Sequence, residues 1–437
     1  MAAPSTPSKI QNVPPSTHFA PKNGVLHADG VSFETIAERA GTPTFVYSGA
    51  ALDAAYRGID GALADVPHMV AYAVKANSNL SVLARLARLG AGADIVSGGE
   101  LARALEAGFS AERIVFSGVG KTDAEIRAAL QAGIRSLHVE SAPEIDAIES
   151  VAATLGVRAK IALRVNPNVD AATHPYIATG LHQTKFGLEL DVARKLLPRL
   201  VASKHLQLEG VACHIGSMVL SPEPIGEAVQ ITAEFACECA RAGATITTLD
   251  AGGGWPILYG NEEQDAQSRA VFGKSIIDGM KRGGADKLGV TLVVEPGRSI
   301  AGDSGTLLTR VVYVKEQAGK RFVIVDAAMT ELIRPALYRA YHAIVPVRTT
   351  PGAAMSPCDI VGPVCESGDF FAQERNFPQV ARGDLIAIRG AGAYGSVMSS
   401  TYNSRPLAAE VLVDGDKLHV VRERQKVEDL WRDERIV

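Results

Sequence analysis

Long apolar runs are missing from this chain of 437 residues, and none approaches the roughly 18 consecutive apolar residues that a membrane-spanning helix needs. Blocks of like charge are missing too. The 44 basic and 48 acidic residues leave a formal charge of −4 with no basic or acidic tract, which excludes the footprint of a nucleic-acid or anionic-membrane protein and points to a small-molecule partner. Cysteine is sparse. Cys213, Cys237, Cys239, Cys358 and Cys365 are scattered, with no CxxC pair and no histidines at zinc spacing, so neither a disulfide framework nor a structural metal site is expected and a reducing cytoplasm suits the thiols. Aromatic residues make up only 5 % against 47 % hydrophobic overall, as expected of a core built from Val, Ile, Leu and Ala. Residues 1–23 are rich in Pro, Ser and Thr, lack the apolar stretch of a secretory signal, and read as a flexible leader.

What the chain does have is glycine, 42 residues, dispersed with 22 prolines along its length as turn punctuation. Between about residues 45 and 300 a short β-rich apolar run, a turn and an amphipathic helical stretch recur eight times. The runs are His68–Val74, Ala93–Val96, Ile114–Ser117, Ser136–Val139, Lys160–Val165, Gly210–His214, Thr247–Ala251 and Thr291–Glu295. Thr122-Asp-Ala-Glu125 and Ser141-Ala-Pro-Glu144 read as capping boxes that open two of the helices. Strict βα alternation favours a closed (β/α)8 TIM-like barrel over residues 45–305, although the pattern also allows an open doubly wound sheet. From residue 306 to 437 the period changes to two, predicting a second, mainly β domain of sandwich or barrel type, with residues 24–44 packing against it and making it discontinuous.

Reactive residues of a parallel barrel belong at the C-terminal ends of its strands, where the following loops form the open face. The polar clusters of this sequence fall there: Lys75-Ala-Asn after the first run, Asp94 and Ser97 after the second, Arg164-Val-Asn166, His214-Ile-Gly-Ser217, Gly252-Gly253-Gly254, and Glu295-Pro296-Gly297-Arg298 after the last. A lone lysine or histidine in such a loop is ordinarily a solvated surface group, and three glycines alone make only a tight turn. Their convergence on one rim suits a phosphorylated cofactor, and pyridoxal 5′-phosphate requires this set: an amine, a phosphate cradle and a group that governs protonation of the pyridine nitrogen.

Tyr72-Ala-Val-Lys75-Ala-Asn77, Cys213-His214-Ile-Gly-Ser217, Gly252-Gly-Gly254 and Glu295-Pro-Gly-Arg298 resemble the signatures of the fold-type III pyridoxal-phosphate decarboxylases, the alanine-racemase-like barrels. Within that group, His174–Gly180 with Lys185-Phe-Gly187, Arg334-Pro-Ala-Leu-Tyr338, Cys365-Glu366-Ser-Gly-Asp369, and Ala393-Tyr394-Gly395 leading into Tyr402–Pro406 resemble the diaminopimelate decarboxylase family. The resemblance implies loss of carbon dioxide from meso-2,6-diaminopimelate to leave L-lysine. It implies that Lys75 holds the cofactor as a Schiff base, His214 stacks on the pyridine face and Glu295 keeps the ring nitrogen protonated. Ser217, Gly252, Gly253, Gly254, Pro296, Gly297, Arg298 and Tyr394 would surround the phosphate, with Asp94 and Arg164 in support. Arg298, Arg334 and Tyr338, with Tyr394 nearby, would hold substrate carboxylates, Glu366 the distal ammonium, and Cys365 would donate the proton. The Cys365-Glu366 pair would come from the neighbouring subunit, making a homodimer with shared sites necessary.

Met218 stands where the family commonly has glutamine, and Trp255-Pro256 where smaller aliphatic residues are usual; the polar stretch Gly260–Ser268 has no role legible in sequence. The alternatives are a relative acting on another basic amino acid or a carboxylated polyamine, and a non-catalytic homologue, which would be expected to lack Lys75 or Cys365.

Overall fold

The computed structural model describes residues 16–170, 185–262 and 267–437, in two compact units. The first comprises Asp53–Ile257 and Ala266–Ile300 and is a closed parallel barrel. Its strands are His68–Ala73, Gly92–Ile95, Ile114–Phe116, Ser136–Val139, Ala159–Asn166, Leu206–Ala212, Thr248–Asp250 and Thr291–Val294. Each pairs with the next, and the eighth pairs with the first, Val293 opposite Met69. That closure decides between the barrel and the open sheet.

Opposed residues in a parallel ladder lie on the same face, so the register carries one face around the whole ring. Met69, Ala71, Val115 and Val293 cluster inside. From them the inward row passes through Gly92, Asp94, Ser136, His138, Ala162, Arg164, Gly210, Ala212, Thr248 and Asp250. The lumen is therefore lined mainly by alanine, glycine and polar groups; of the Val, Ile, Leu and Ala expected in the core, it is chiefly alanine that faces inward. Those branched residues face the surrounding helices, where Ile145, Ile148, Ile276 and Ile277 are buried.

A helix follows each strand, the last being the single turn Arg298–Ala301, and caps explain where several begin. Asn79 accepts from the N–H of Ser81 at 2.9 Å and Ser97 from that of Glu100 at 3.2 Å. Thr122 and Glu125 form the reciprocal box read from the sequence. The second expected box is only half made. Ser141 caps Glu144, but the Glu144 carboxylate accepts from the N–H of Glu140 at 2.8 Å and from the buried ammonium of Lys121 at 2.6 Å instead.

The second unit comprises Met1–Leu52, Leu258–Asp265 and Ala301–Val437 and is mainly β. Its long strand Gly305–Gln317 pairs with Thr44–Ser48, Lys320–Val325 and Leu385–Arg389. Thr44–Ser48 thus belongs to this unit and not to the barrel, whose domain boundary had been expected at 45. Two strands without a clear sequence signal, Phe370–Pro378 and Lys417–Arg422, form the ends of the sheet.

The leader expected to reach residue 23 ends earlier. Phe19–Lys22 pairs with Val25–Ala28 across Asn23-Gly24, both with positive φ, the turn chemistry that closes two-residue hairpins. Phe19 is 2 % exposed and shares a core with Phe33, Leu308, Val347, Ala387 and Val411, and the Arg389 guanidinium lies 5.1 Å from its ring. Phe19→Ala is expected to destabilise this unit by about 3 kcal/mol, read from denaturant unfolding; a change within about 0.5 kcal/mol, typical of surface positions, would mean the segment is no part of the core.

Candidate active site

At the end of the first barrel strand the chain turns into a short 3-10 segment, Val74–Ala76, that presents Lys75. Its ammonium donates to Asp94 Oδ2 at 2.5 Å. The lysine side chain is 39 % exposed and the aspartate not at all, so a buried carboxylate tethers an amine that still reaches solvent. Glu100, near this pair, has its carboxyl pushed up to about 7, mainly by burial and further by Asp94, against the hydrogen bond from the N–H of Val96 and the charge of Lys75. No sequence motif marked it.

Deeper in the lumen lies a network of which the motifs announced only Glu295. Ser117 donates to Glu295 Oε1 at 3.2 Å and lies 3.2 Å from His138 Nδ1. His138 stands between two acids, 3.6 Å from Glu295 and 3.9 Å from Asp250. Burial drives His138 down to about 3 and Asp250 up to about 7, and it holds Glu295 well above the usual carboxylate range, with Asp250 and Asp94 adding to that shift. Among the described residues no lysine or arginine forms an ion pair with Glu295 or Asp250. The signal for this network was the period of two: Ser117, His138 and Asp250 are polar side chains on the inward row, and Glu295 continues it beyond the eighth strand.

Arg164 pairs with buried Glu140 at 2.9 Å, and its guanidinium lies 5.1 Å from the Phe186 ring. Glu140 also accepts from the N–H groups of Gly118 and Gly187, tying three loops together. Lys185-Phe-Gly187 is thereby placed; the preceding part of that motif, His174–Gly180, lies outside the described residues.

His214 Nδ1 accepts from the N–H of Gly253 at 3.0 Å, leaving the ring proton on Nε2. Burial, with Arg164 and Lys75, holds its basicity well below the ordinary value, so the imidazole is neutral. Gly252 donates its N–H to Asp250 at 2.8 Å. Two of the three glycine amides are therefore committed to protein groups and do not face a ligand, which narrows the cradle read from the sequence. Glycine is nonetheless required. Gly252 and Gly254 have positive φ, and a Cβ on Gly253 would lie 2.4 Å from the carbonyl oxygen of Glu295. Ser217 accepts from Arg298 Nε at 3.3 Å and Nη2 at 3.2 Å, joining the loops after strands six and eight. Pro296 and Gly297 form the turn that leads to Arg298, and a Cβ on Gly297 would meet Ala76 at 2.9 Å.

The departures from the family pattern leave these groups intact. Met218 takes a left-handed backbone, φ 62°. Trp255 turns away into the barrel shell, stacked on Phe272 at 5.7 Å between ring centres.

The remaining expected residues are in the β unit. Arg334 and Tyr338 share the short helix Arg334–Tyr338, with Arg334 buried. Cys365 is exposed, and its N–H donates to Asn403 Oδ1 at 3.1 Å. The loop is shaped by buried Asp369, which accepts from Val364 at 2.8 Å and Met329 at 2.7 Å. Glu366 is exposed, 3.5 Å from the Tyr402 hydroxyl. Tyr394 has a left-handed backbone, φ 55°.

Residues 50–302 match the pyridoxal-binding domain of the pyridoxal-dependent decarboxylases. The diaminopimelate decarboxylase of Pseudomonas aeruginosa is 49 % identical over 419 residues, 96 % of this chain and 99 % of that one. The chain belongs to the diaminopimelate decarboxylase family. The structure of a family member from Helicobacter pylori, complexed with L-lysine, is 44 % identical with a TM-score of 0.87, covering 92 % of this chain and 98 % of its own. A co-complex of the M. jannaschii family member with L-lysine superposes with a TM-score of 0.91 at 35 % identity, covering 96 % and 98 %. The family is one of pyridoxal-dependent lyases.

Proposed function

We propose that this chain decarboxylates meso-2,6-diaminopimelate to L-lysine with pyridoxal 5′-phosphate. The observation that carries the cofactor reading is the pair of neighbouring acids, half-buried Glu295 and fully buried Asp250, neither of which forms an ion pair with an arginine or lysine among the described residues. Burying carboxylates without a cation is costly, and a protonated pyridine nitrogen is a cation of the right kind to meet Glu295. The Asp94-tethered amine of Lys75 and the Ser217–Arg298 contact fit the other two requirements, an aldehyde partner and a phosphate site. The donor set therefore fits the group.

Bound there, the cofactor supplies an electron sink for the charge left when carbon dioxide departs. The protein's own groups do the rest. Lys75 would be the residue that holds the cofactor through its amine, which Asp94 keeps in place. Neutral His214 would offer its ring to the cofactor without adding a positive charge of its own. Glu295, with Ser117 donating to it, holds the ring-nitrogen proton. Ser217, Gly254, Arg298 and Tyr394 hold the phosphate, and Arg164 with Glu140 braces the loops. Arg334 and Tyr338 bind a substrate carboxylate.

The working unit is a homodimer in a reducing cytoplasm, consistent with five unpaired cysteines. Cys365 of the partner subunit delivers a proton from Sγ to the carbon that lost carbon dioxide, and Glu366 of the partner subunit binds the distal ammonium. Mixing inactive Lys75→Ala and Cys365→Ala proteins is then expected to restore activity, because about half of the subunit pairs become heterodimers with one intact site. No recovery despite measured subunit exchange would place both residues in the same protomer's site.

The function itself is tested by measuring carbon dioxide and lysine released from meso-diaminopimelate beside ornithine, arginine and lysine. Diaminopimelate is expected to be turned over fastest. Faster turnover of any competitor would overturn the substrate.

A further inference from the structure

The polar stretch after the glycine turn, without a role in the sequence, begins by folding back on its own carboxylate. Glu262 accepts from the N–H groups of Tyr259 at 2.7 Å, Gly260 at 2.8 Å and Asn261 at 3.1 Å. This small nest fixes the backbone at Tyr259, whose ring is buried within the β unit. The guanidinium of Arg334 lies 4.6 Å from its centre, and the His342 ring meets it edge-on at 5.1 Å. Gly390 leaves the space the ring occupies, since a Cβ there would come within 3.1 Å of it.

His342 has no solvent exposure. Its Nε2 is 2.8 Å from Arg334 Nη1 and its Nδ1 is 2.8 Å from the Arg389 carbonyl oxygen. A guanidinium has only donors, so Nε2 accepts and Nδ1 carries the proton and donates to the carbonyl. One neutral tautomer satisfies both neighbours. The backbone is anchored as well: Arg375 donates to the His342 carbonyl at 3.1 Å and lies 4.0 Å from the Tyr341 ring. The imidazole accepts from the guanidinium and the aromatic ring lies against it, so together they fix its orientation.

We propose that His342 and Tyr259 are positioning residues that set Arg334 to receive a carboxylate of the substrate or product. The proposal rests on the reading of Arg334 given above. Its chemical consequence is selective: ligands with a carboxylate should feel the clamp and otherwise similar diamines should not.

The test measures binding of L-lysine and of 1,5-diaminopentane, which lacks the carboxylate, to cofactor-loaded protein by calorimetry, together with kcat and KM. His342→Leu and Tyr259→Leu are each expected to weaken L-lysine about tenfold, the worth of one well-placed polar or cation–π contact, and to raise KM more than they lower kcat. Diaminopentane affinity should stay the same. His342→Gln, which keeps an acceptor for Arg334, and Tyr259→Phe, which keeps the ring, should retain more lysine affinity than the leucine variants. Equal weakening of both ligands, or of neither, would overturn the clamp. Arg334→Gln separates the two levels: if it leaves the lysine-to-diamine ratio unchanged, the carboxylate reading of Arg334 fails, whereas if it collapses the ratio while the His342 and Tyr259 variants do not, only the clamp fails.

Discussion

Lys75→Ala is expected to lower decarboxylation by at least about 10⁴-fold, the scale on which removal of a covalent-catalytic side chain acts. The reason is placement as well as chemistry. Lys75 is the amine held at the barrel mouth by Asp94, a carboxylate with no exposure of its own. Pyridoxal phosphate added to the wild-type protein should give a visible absorbance band that borohydride removes, leaving the reduced cofactor on the peptide that carries Lys75. The variant should show neither the band nor the modified peptide. A normal band and a modified peptide elsewhere would move the attachment site. Asp94→Ala should keep the amine but lose its tether, so a weaker band with slower formation is the matching result.

Glu295→Gln should reduce kcat by about 10²–10³, comparable to removing a preorganised electrostatic partner in a dry site, while the visible band persists. A loss below about tenfold would show that Glu295 does not govern the charge of the ring nitrogen. The same network predicts a pH signature in cofactor-free protein. Asp250 is raised to about 7 by burial, whereas an unfolded aspartate titrates near about 3.9. Across that interval the folded state binds the proton more tightly, so this group's contribution to stability is greatest at acid pH and is lost as pH rises towards 7. His138, pushed down to about 3 by burial, works in the opposite sense: its contribution is present above the unfolded value near about 6.5 and is lost as pH falls through the folded one. Asp250→Asn removes the first slope and, by taking a charge from beside Glu295, part of that group's slope, which has the same sign. Its stability relative to wild type, from denaturant unfolding of cofactor-free protein, should therefore improve steadily from about pH 4 to about pH 7. A flat difference would mean that Asp250 is not carrying a shifted proton.

Much of this architecture was legible because βα alternation is a local property. Each barrel strand and most helices could be placed from a run of apolar residues, a cap such as Thr122 with Glu125, or a glycine stop, none of which requires knowledge of the rest of the chain. The N-terminal hairpin was missed although Asn23-Gly24 signals it, because the Pro, Ser and Thr content upstream outweighed a two-residue turn motif. The edge strands Phe370–Pro378 and Lys417–Arg422 carry mixed polar residues along one or both faces, so neither hydrophobic period stands out.

The family and the candidate rim residues, Lys75 among them, were legible in sequence alone, because the motifs at strand ends are contiguous and their chemistry can be read from residue types. What the tertiary structure decided is which distant groups share an environment. Glu295 meets Ser117 across 178 positions, and Arg334 meets the ring of Tyr259 and the imidazole of His342. Barrel closure also encloses the inward polar side chains of short strands, so that His138 and Asp250, unremarkable in sequence, acquire shifted protonation chiefly from burial. Desolvation and charge coupling depend on distance in space, and no local pattern along the chain encodes that distance.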